Sequence, residues 1–192
     1  MYHVNNYLHW RPRRAVFNAL LPPPLRSWLD TPGSMTARIR ANCRECFQVR
    51  VLAEGWRRPR VDEARRLRLP LQQEAWVRIV TLNCGETPWI LGRTVMPQAS
   101  LRGGRGLLRR LGARALGAVL FTGREVERSE FELRRLQAAD PLLPDRRLVE
   151  PAVVPQLWAR RSVLSVAGAP ILVTEVFLPE LEYGAAYRQS LV

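Results

Sequence analysis

The chain has 192 residues and no lysine. All 30 of its cations are arginines, set against 17 carboxylates for a net charge of +13. Its two histidines, His3 and His9, lie together at the N-terminus, and its three cysteines are Cys43, Cys46 and Cys84. Two histidines so placed disfavour His-based acid–base chemistry, and no G-x-S-x-G string marks a nucleophilic serine. Three cysteines cannot form a paired disulfide framework, which favours a reducing compartment. Cys43-Arg44-Glu45-Cys46 has C-x-x-C spacing, but zinc needs two more ligands, which only Cys84 and the two histidines could supply. No thioredoxin-like βαβ pattern surrounds it, so two structural thiols and no metal are expected. Gly103-Gly104-Arg105-Gly106 lacks both the Lys-Ser/Thr of a phosphate loop and the spacing of a dinucleotide loop. No apolar run approaches the ~18–20 residues of a membrane span. Arg11, Arg13 and Arg14 are not followed by the apolar stretch and small-residue cleavage site of a secretory signal. Together these absences predict a cytoplasmic protein without metal or other cofactor.

What is present describes a folded chain. Hydrophobic residues make up 47% and charged residues only 24%, which excludes a disordered polycation. At ~150 residues per domain the length suggests one domain. A strongly basic balance ordinarily suggests nucleic acid. Here the arginines are spread along the whole chain, with no zinc-finger spacing and no aromatic RNP-like run, so a solvated Arg-rich surface is expected and no nucleic-acid partner.

Residues 1–24 end in Pro22-Pro23-Pro24 without clear periodicity and read as an N-terminal extension, with the domain running from 25 to 192. Leu25–Leu29 suits one helical turn. Ser34 reads as an N-cap for a helix carrying Met35 and Ile39 on one face. Glu45–Ala53 reads as a strand and the Arg-rich Arg57–Pro70, broken by Pro59, as a loop. Two β-rich runs flank Cys84-Gly85-Glu86-Thr87-Pro88 between residues 75 and 97, which predicts a hairpin. Gly104–Leu111 suits a short helix stopped by Gly112, and Arg124–Leu133 a strand. Residues 137–155, with Pro141, Pro144 and Pro151, read as an insertion. Ser162–Val166 and Ile171–Leu178 form a second hairpin around Ala167-Gly168-Ala169-Pro170. The fold class predicted is α+β, an antiparallel sheet with short helices.

The strand period of two places three charges on apolar faces. Arg78 falls with Trp76, Val80 and Leu82. Arg93 falls with Trp89, Leu91 and Val95. Glu175 falls with Ile171, Val173 and Phe177. Burying an unpaired charge costs several kcal/mol, so each needs a partner. One solution pairs an arginine with Glu175 or lets the arginine stems reach water. The other is a closed polar pocket in which two guanidiniums meet the carboxylates of a small ligand, which Arg binds in a planar fork.

Four strings in order resemble the chorismate pyruvate-lyase family. They are Ser34-Met35-Thr36, the hairpin W-V-R-I-V-T-L-N-C-G-E-T-P-W-I-L-G-R-T-V-M-P (76–97), the segment from Leu111-Gly112 through Leu116-Gly117 to Leu120-Phe121-Thr122, and L-W-A-R-R-S-V-L-S-V-A-G-A-P-I-L-V-T-E-V-F-L-P (157–179). They cover most of residues 25–180; segments 1–24 and 137–155 lie outside them. The resemblance implies an antiparallel sheet whose helical flaps enclose the ligand, in a monomeric, cofactor-free enzyme. Its activity would be to eliminate enolpyruvate from chorismate, giving 4-hydroxybenzoate and pyruvate for ubiquinone synthesis. By motif position, Arg78 would bind the ring carboxylate with the backbone N–H of Leu116, and Glu175 would meet the 4-hydroxyl near the backbone of Met35. Arg93 is added from its G-R-T context and its face, as a catalytic candidate for the departing enolpyruvate; Arg160 and Arg161 are alternatives. Glu175 either orients the 4-hydroxyl or acts as base toward C4–H. Two rival classes stand beside the lyase. One is a non-catalytic binder of small aromatic acids, like the sensor domains of transcription regulators, for whose winged helix-turn-helix residues 1–24 are too short. The other is a basic nucleic-acid-binding protein.

Overall fold

Two apolar hairpins, over residues 75–97 and 157–177, form the centre of the sheet. The computed structural model describes residues 9–102, 105–120, 126–137, 140–144 and 157–181. Its strands and helices run β1 (Arg11–Pro12), α1 (Pro23–Leu29), α2 (Met35–Asn42), β2 (Phe47–Arg57), α3 (Val61–Arg66), β3 (Ala75–Cys84), β4 (Thr87–Pro97), α4 (Leu116–Leu120), β5 (Val126–Arg128), β6 (Glu132–Leu136), β7 (Leu157–Val166) and β8 (Ala169–Phe177). The sheet order is β1-β6-β7-β8-β4-β3-β2, with β5 pairing on β7. Every pairing is antiparallel. The α+β class and both hairpins are as the sequence predicts. Gly85 turns the first hairpin at φ +55°, and a Cβ there would collide with the Glu45 carboxylate.

Both faces of the sheet are covered. On the front, Trp28 and Leu29 of α1 and Met35 and Ile39 of α2 pack with Leu82, Ile90 and Phe177. On the back, Leu67, just after α3, packs with Val77, Val95 and Leu172, while Leu142 and Leu143 pack with Leu91 and Val176. Trp89 is the extra residue where the β3–β4 register shifts, and it meets Trp28 edge to face on the front.

Four expectations change. Arg57–Pro70 is not all loop: α3 forms there because Pro59 precedes the helix and Glu63 Oε2 accepts from the Arg60 backbone N–H at 2.9 Å. The strand expected over Arg124–Leu133 is two short strands, both pairing with β7. Of the expected N-terminal extension, the described residues 9–24 are docked on the domain: Arg11 and Pro12 pair with β6, and Val16 and Leu21 are buried. Two of the three cysteines do not stand as free thiols. Cys43, at the end of α2, is disulfide-bonded to Cys84, at the end of β3, and the exposed Cys46 is free. Of the expected insertion, residues 138–139 and 145–155 lie outside the described residues, but Leu142 and Leu143 fill the back core.

Candidate active site

Register decides which buried charges meet. Arg78 pairs with Thr94, and Gly92 pairs with both Val80 and Glu175. Arg78, Thr94, Gly92 and Glu175 therefore share the front face. There they line one pocket with Met35 of α2 and Leu116 of α4. Gly92 lies between the two charges, and its missing side chain keeps the floor low; a Cβ there would stand 3.2 Å from Val80 Cγ2.

Each wall has a local cause. Ser34 Oγ accepts from the Ala37 N–H at 3.3 Å and starts α2, so Met35 opens the helix at the pocket edge. Arg38 of α2 stacks over Trp28 with 4.2 Å to the ring centroid and donates to the Ser27 hydroxyl at 2.8 Å, docking α2 on α1. Gly112, at φ +53°, turns the chain before Ala115 and Leu116.

Arg78 is 2% exposed. Its Nη1 donates to Glu54 at 2.7 Å, and its Nη2 to the carbonyls of Gly112 at 2.6 Å and Arg114 at 3.3 Å. Those carbonyls belong to the loop leading into Leu116, so the cation and that backbone are held as one unit. Glu175 Oε2 accepts from Arg160 Nε at 2.5 Å. Arg160 is fully buried, and its Nη1 also donates to the carbonyls of Trp28, Leu29 and Thr31. Trp28 and Leu29 close α1 and Thr31 follows it, so all three carbonyls belong to the C-terminal end of that flap. Arg160 thus ties the α1 flap to the pocket acid.

Arg93 does not join this site. It pairs with Ile79, one residue out of step with Arg78, and so points to the back face. There it forks onto Glu63 of α3, Nε to Oε1 at 2.6 Å and Nη2 to Oε2 at 2.9 Å. Arg161 is on the same back face, bonded to Asp62 and Glu132 at 2.8 Å each. Parity along each strand singled out Arg78, Arg93 and Glu175, but the face shared between strands depends on a register that a single strand does not reveal. Two pocket cations escaped the sequence reading, Arg114 and Arg128. Arg128 lies on a three-residue strand, too short for its alternation to show. Burial lowers the pKa of the Arg128 guanidinium; Glu175 opposes that shift and Arg160 adds to it.

The chorismate lyase family model matches residues 5–186. The chain belongs to the chorismate lyase family. Similar relatives are probable chorismate pyruvate-lyases of Halorhodospira halophila, 42% identical over 89% of this chain and 90% of the relative, and of Thiobacillus denitrificans, 40% identical over 83% and 85%. The family match takes in most of residues 1–24 and all of 137–155, both of which the four strings left aside. Among solved structures, the PhnF C-terminal domain aligns with TM-score 0.54 at 13% identity over 69% of this chain and 83% of its own. The ligand-binding domain of a putative GntR-family regulator from Bordetella bronchiseptica aligns with TM-score 0.51 at 19% identity, over 70% and 87%. These two share the fold.

Proposed function

We propose that the chain is a chorismate pyruvate-lyase, and that Arg78 and Glu175 hold the two ends of its substrate ring. The observation that carries this is their joint placement on one sheet face, in one pocket, in a member of this family. Arg78 takes the ring carboxylate in a two-bond fork, with the Leu116 backbone N–H beside it. Glu175 meets the 4-hydroxyl near the Met35 backbone; among the described residues its Oε1 makes no hydrogen bond, while Arg160 occupies Oε2.

The reaction asks little chemistry of the protein. The C3–O bond breaks, its electron pair leaves with the enolpyruvate oxygen, the C4 hydrogen departs and the ring becomes aromatic. The protein holds the ring, balances the charge on the leaving oxygen and keeps water out. The C4 hydrogen passes either to Glu175 as base or directly to the enolpyruvyl methylene; in the second route Glu175 only orients the hydroxyl. No step calls for a metal or redox partner, which supports a cofactor-free reading. We also read the protein as a cytoplasmic monomer without a nucleic-acid partner. In support, among the described residues no helix is long and apolar enough to cross a membrane, and buried arginines are tied to carboxylates rather than gathered in a surface stripe. In a reducing cytoplasm the Cys43–Cys84 bridge would stand open.

The rival reading, an effector-binding domain without catalysis, has the fold of the GntR-type neighbours behind it. Incubation with chorismate separates the two. A lyase releases 4-hydroxybenzoate and pyruvate together, whereas a sensor binds a ligand and leaves chorismate intact.

A further inference from the structure

Resting on the lyase reading, we infer that Arg128 receives the carboxylate of the enolpyruvyl side chain and steadies its oxygen as the C3–O bond breaks. Arg78 and Glu175 account only for the ring axis, and the side chain brings a second carboxylate. Other arginines of the sheet are spent or misplaced. Arg93 and Arg161 face the back, each held by carboxylates. Arg160 does not line the pocket; its Nε and Nη1 are held by Glu175 and three carbonyls, and its Nη2, without a hydrogen bond among the described residues, is buried outside that lining. Arg114 lies exposed at the rim, its donors turned to the carbonyls of Leu111 and Arg110. Arg128 is a part-buried cation of the pocket with no carboxylate within 4.0 Å among the described residues. Among the described residues its side-chain hydrogen bond runs from Nη1 to Ser162 Oγ at 2.7 Å.

The register puts this guanidinium in the right quarter. Ser162 pairs with Val173, and Val173 lies two residues from Glu175 on the same face of β8. The Arg128 head therefore sits about one strand spacing (~4.8 Å) beyond β8 on the side opposite Arg78, and one same-face step (~7 Å) along the strand from the Glu175 backbone, in the row that Arg78, Thr94, Val173 and Ser162 share. The side chain of chorismate leaves the ring at C3, next to the C4 that carries the hydroxyl. With that hydroxyl at Glu175, the side chain emerges at the end of the ring nearest Arg128. A partly desolvated guanidinium that feels Glu175 only at a distance, with no carboxylate in contact among the described residues, is matched by a ligand carboxylate, which it takes in a planar fork. As the C3–O electron pair passes to the enolpyruvate oxygen, the same cation lies beside the charge that develops. Proton loss from C4 then balances the step, leaving neutral phenol on the product ring and enolpyruvate, or pyruvate after proton transfer to its methylene.

The test compares wild type with Arg128→Ala and Arg128→Lys, measuring steady-state turnover of chorismate and the dissociation constant of 4-hydroxybenzoate. Product lacks the side chain, so the two measurements should part company. Arg128→Ala should lower kcat/KM for chorismate by about 100-fold or more while product affinity stays within about threefold, and Arg128→Lys should recover part of the loss. Turnover by Arg128→Ala within about threefold of wild type would overturn the assignment. So would equal losses of turnover and product affinity, which mark a merely structural role. Absence of turnover in wild type itself would instead bring down the lyase reading on which the inference stands.

Discussion

Arg78 and Arg93 are both buried and both engage a carboxylate, yet the account gives them unlike roles. Arg78 faces the pocket, so Arg78→Ala should weaken 4-hydroxybenzoate binding by about 2–5 kcal/mol, read by titration calorimetry. Unchanged affinity would remove Arg78 from the ligand. Arg93→Ala should instead leave the buried Glu63 without its forked partner and with only Arg60 beside it, costing about 3–5 kcal/mol of folding stability by denaturant titration, with turnover per folded molecule little changed. A stable Arg93→Ala enzyme that had lost turnover would return Arg93 to the reaction. Glu175→Gln keeps shape and removes the base. A fall in rate of about 10²-fold or more would assign it general-base work, and a fall under about tenfold with binding intact would assign it orientation only. The burial of these residues was legible from alternation along each strand. Their partners were not, because Glu54, Glu63 and Arg160 arrive from other elements through registers no local pattern encodes.

Elements carried by strong periodicity were read well, and those defined by a few polar residues were not. The two hairpins stand out because long apolar strands are bounded by Gly85 and Gly168. Helix α3 was hidden because its buried side is Glu63 and Ala64, and an acid does not announce a core position. The disulfide was hidden because Cys43 and Cys84 are 41 residues apart in sequence and meet only once β2 pairs with β3. It fastens the end of α2, whose first residue lines the pocket. Under oxidising conditions the double substitution Cys43→Ser, Cys84→Ser should lower stability by about 2–4 kcal/mol, and a reductant should erase the difference. Turnover should change by no more than a few-fold, since the pocket walls are held by Ser34 and Arg38 as well. Abolished turnover in a folded variant would make the cysteines part of the site.

At the scale of the whole molecule, the sheet divides two kinds of charge. On the back, arginines and carboxylates pair off: Arg93 with Glu63, Arg161 with Asp62 and Glu132, Arg66 with Glu132. On the front, Arg78 pairs with Glu54 and Arg160 with Glu175, while the pocket cation Arg128 has no carboxylate within 4.0 Å among the described residues. That surplus of positive charge suits a dianion whose own aromatisation drives the reaction. A net charge of +13 predicts nothing by itself about this arrangement, because it does not say which arginines are spent on one another. The most direct test of the central claim is a progress curve with purified, chelator-treated protein and chorismate, following 4-hydroxybenzoate and pyruvate separately. The account predicts that both appear at equal rates in a one-to-one ratio, without added metal. Chorismate recovered intact, or turnover that returns only with a particular metal, would contradict it.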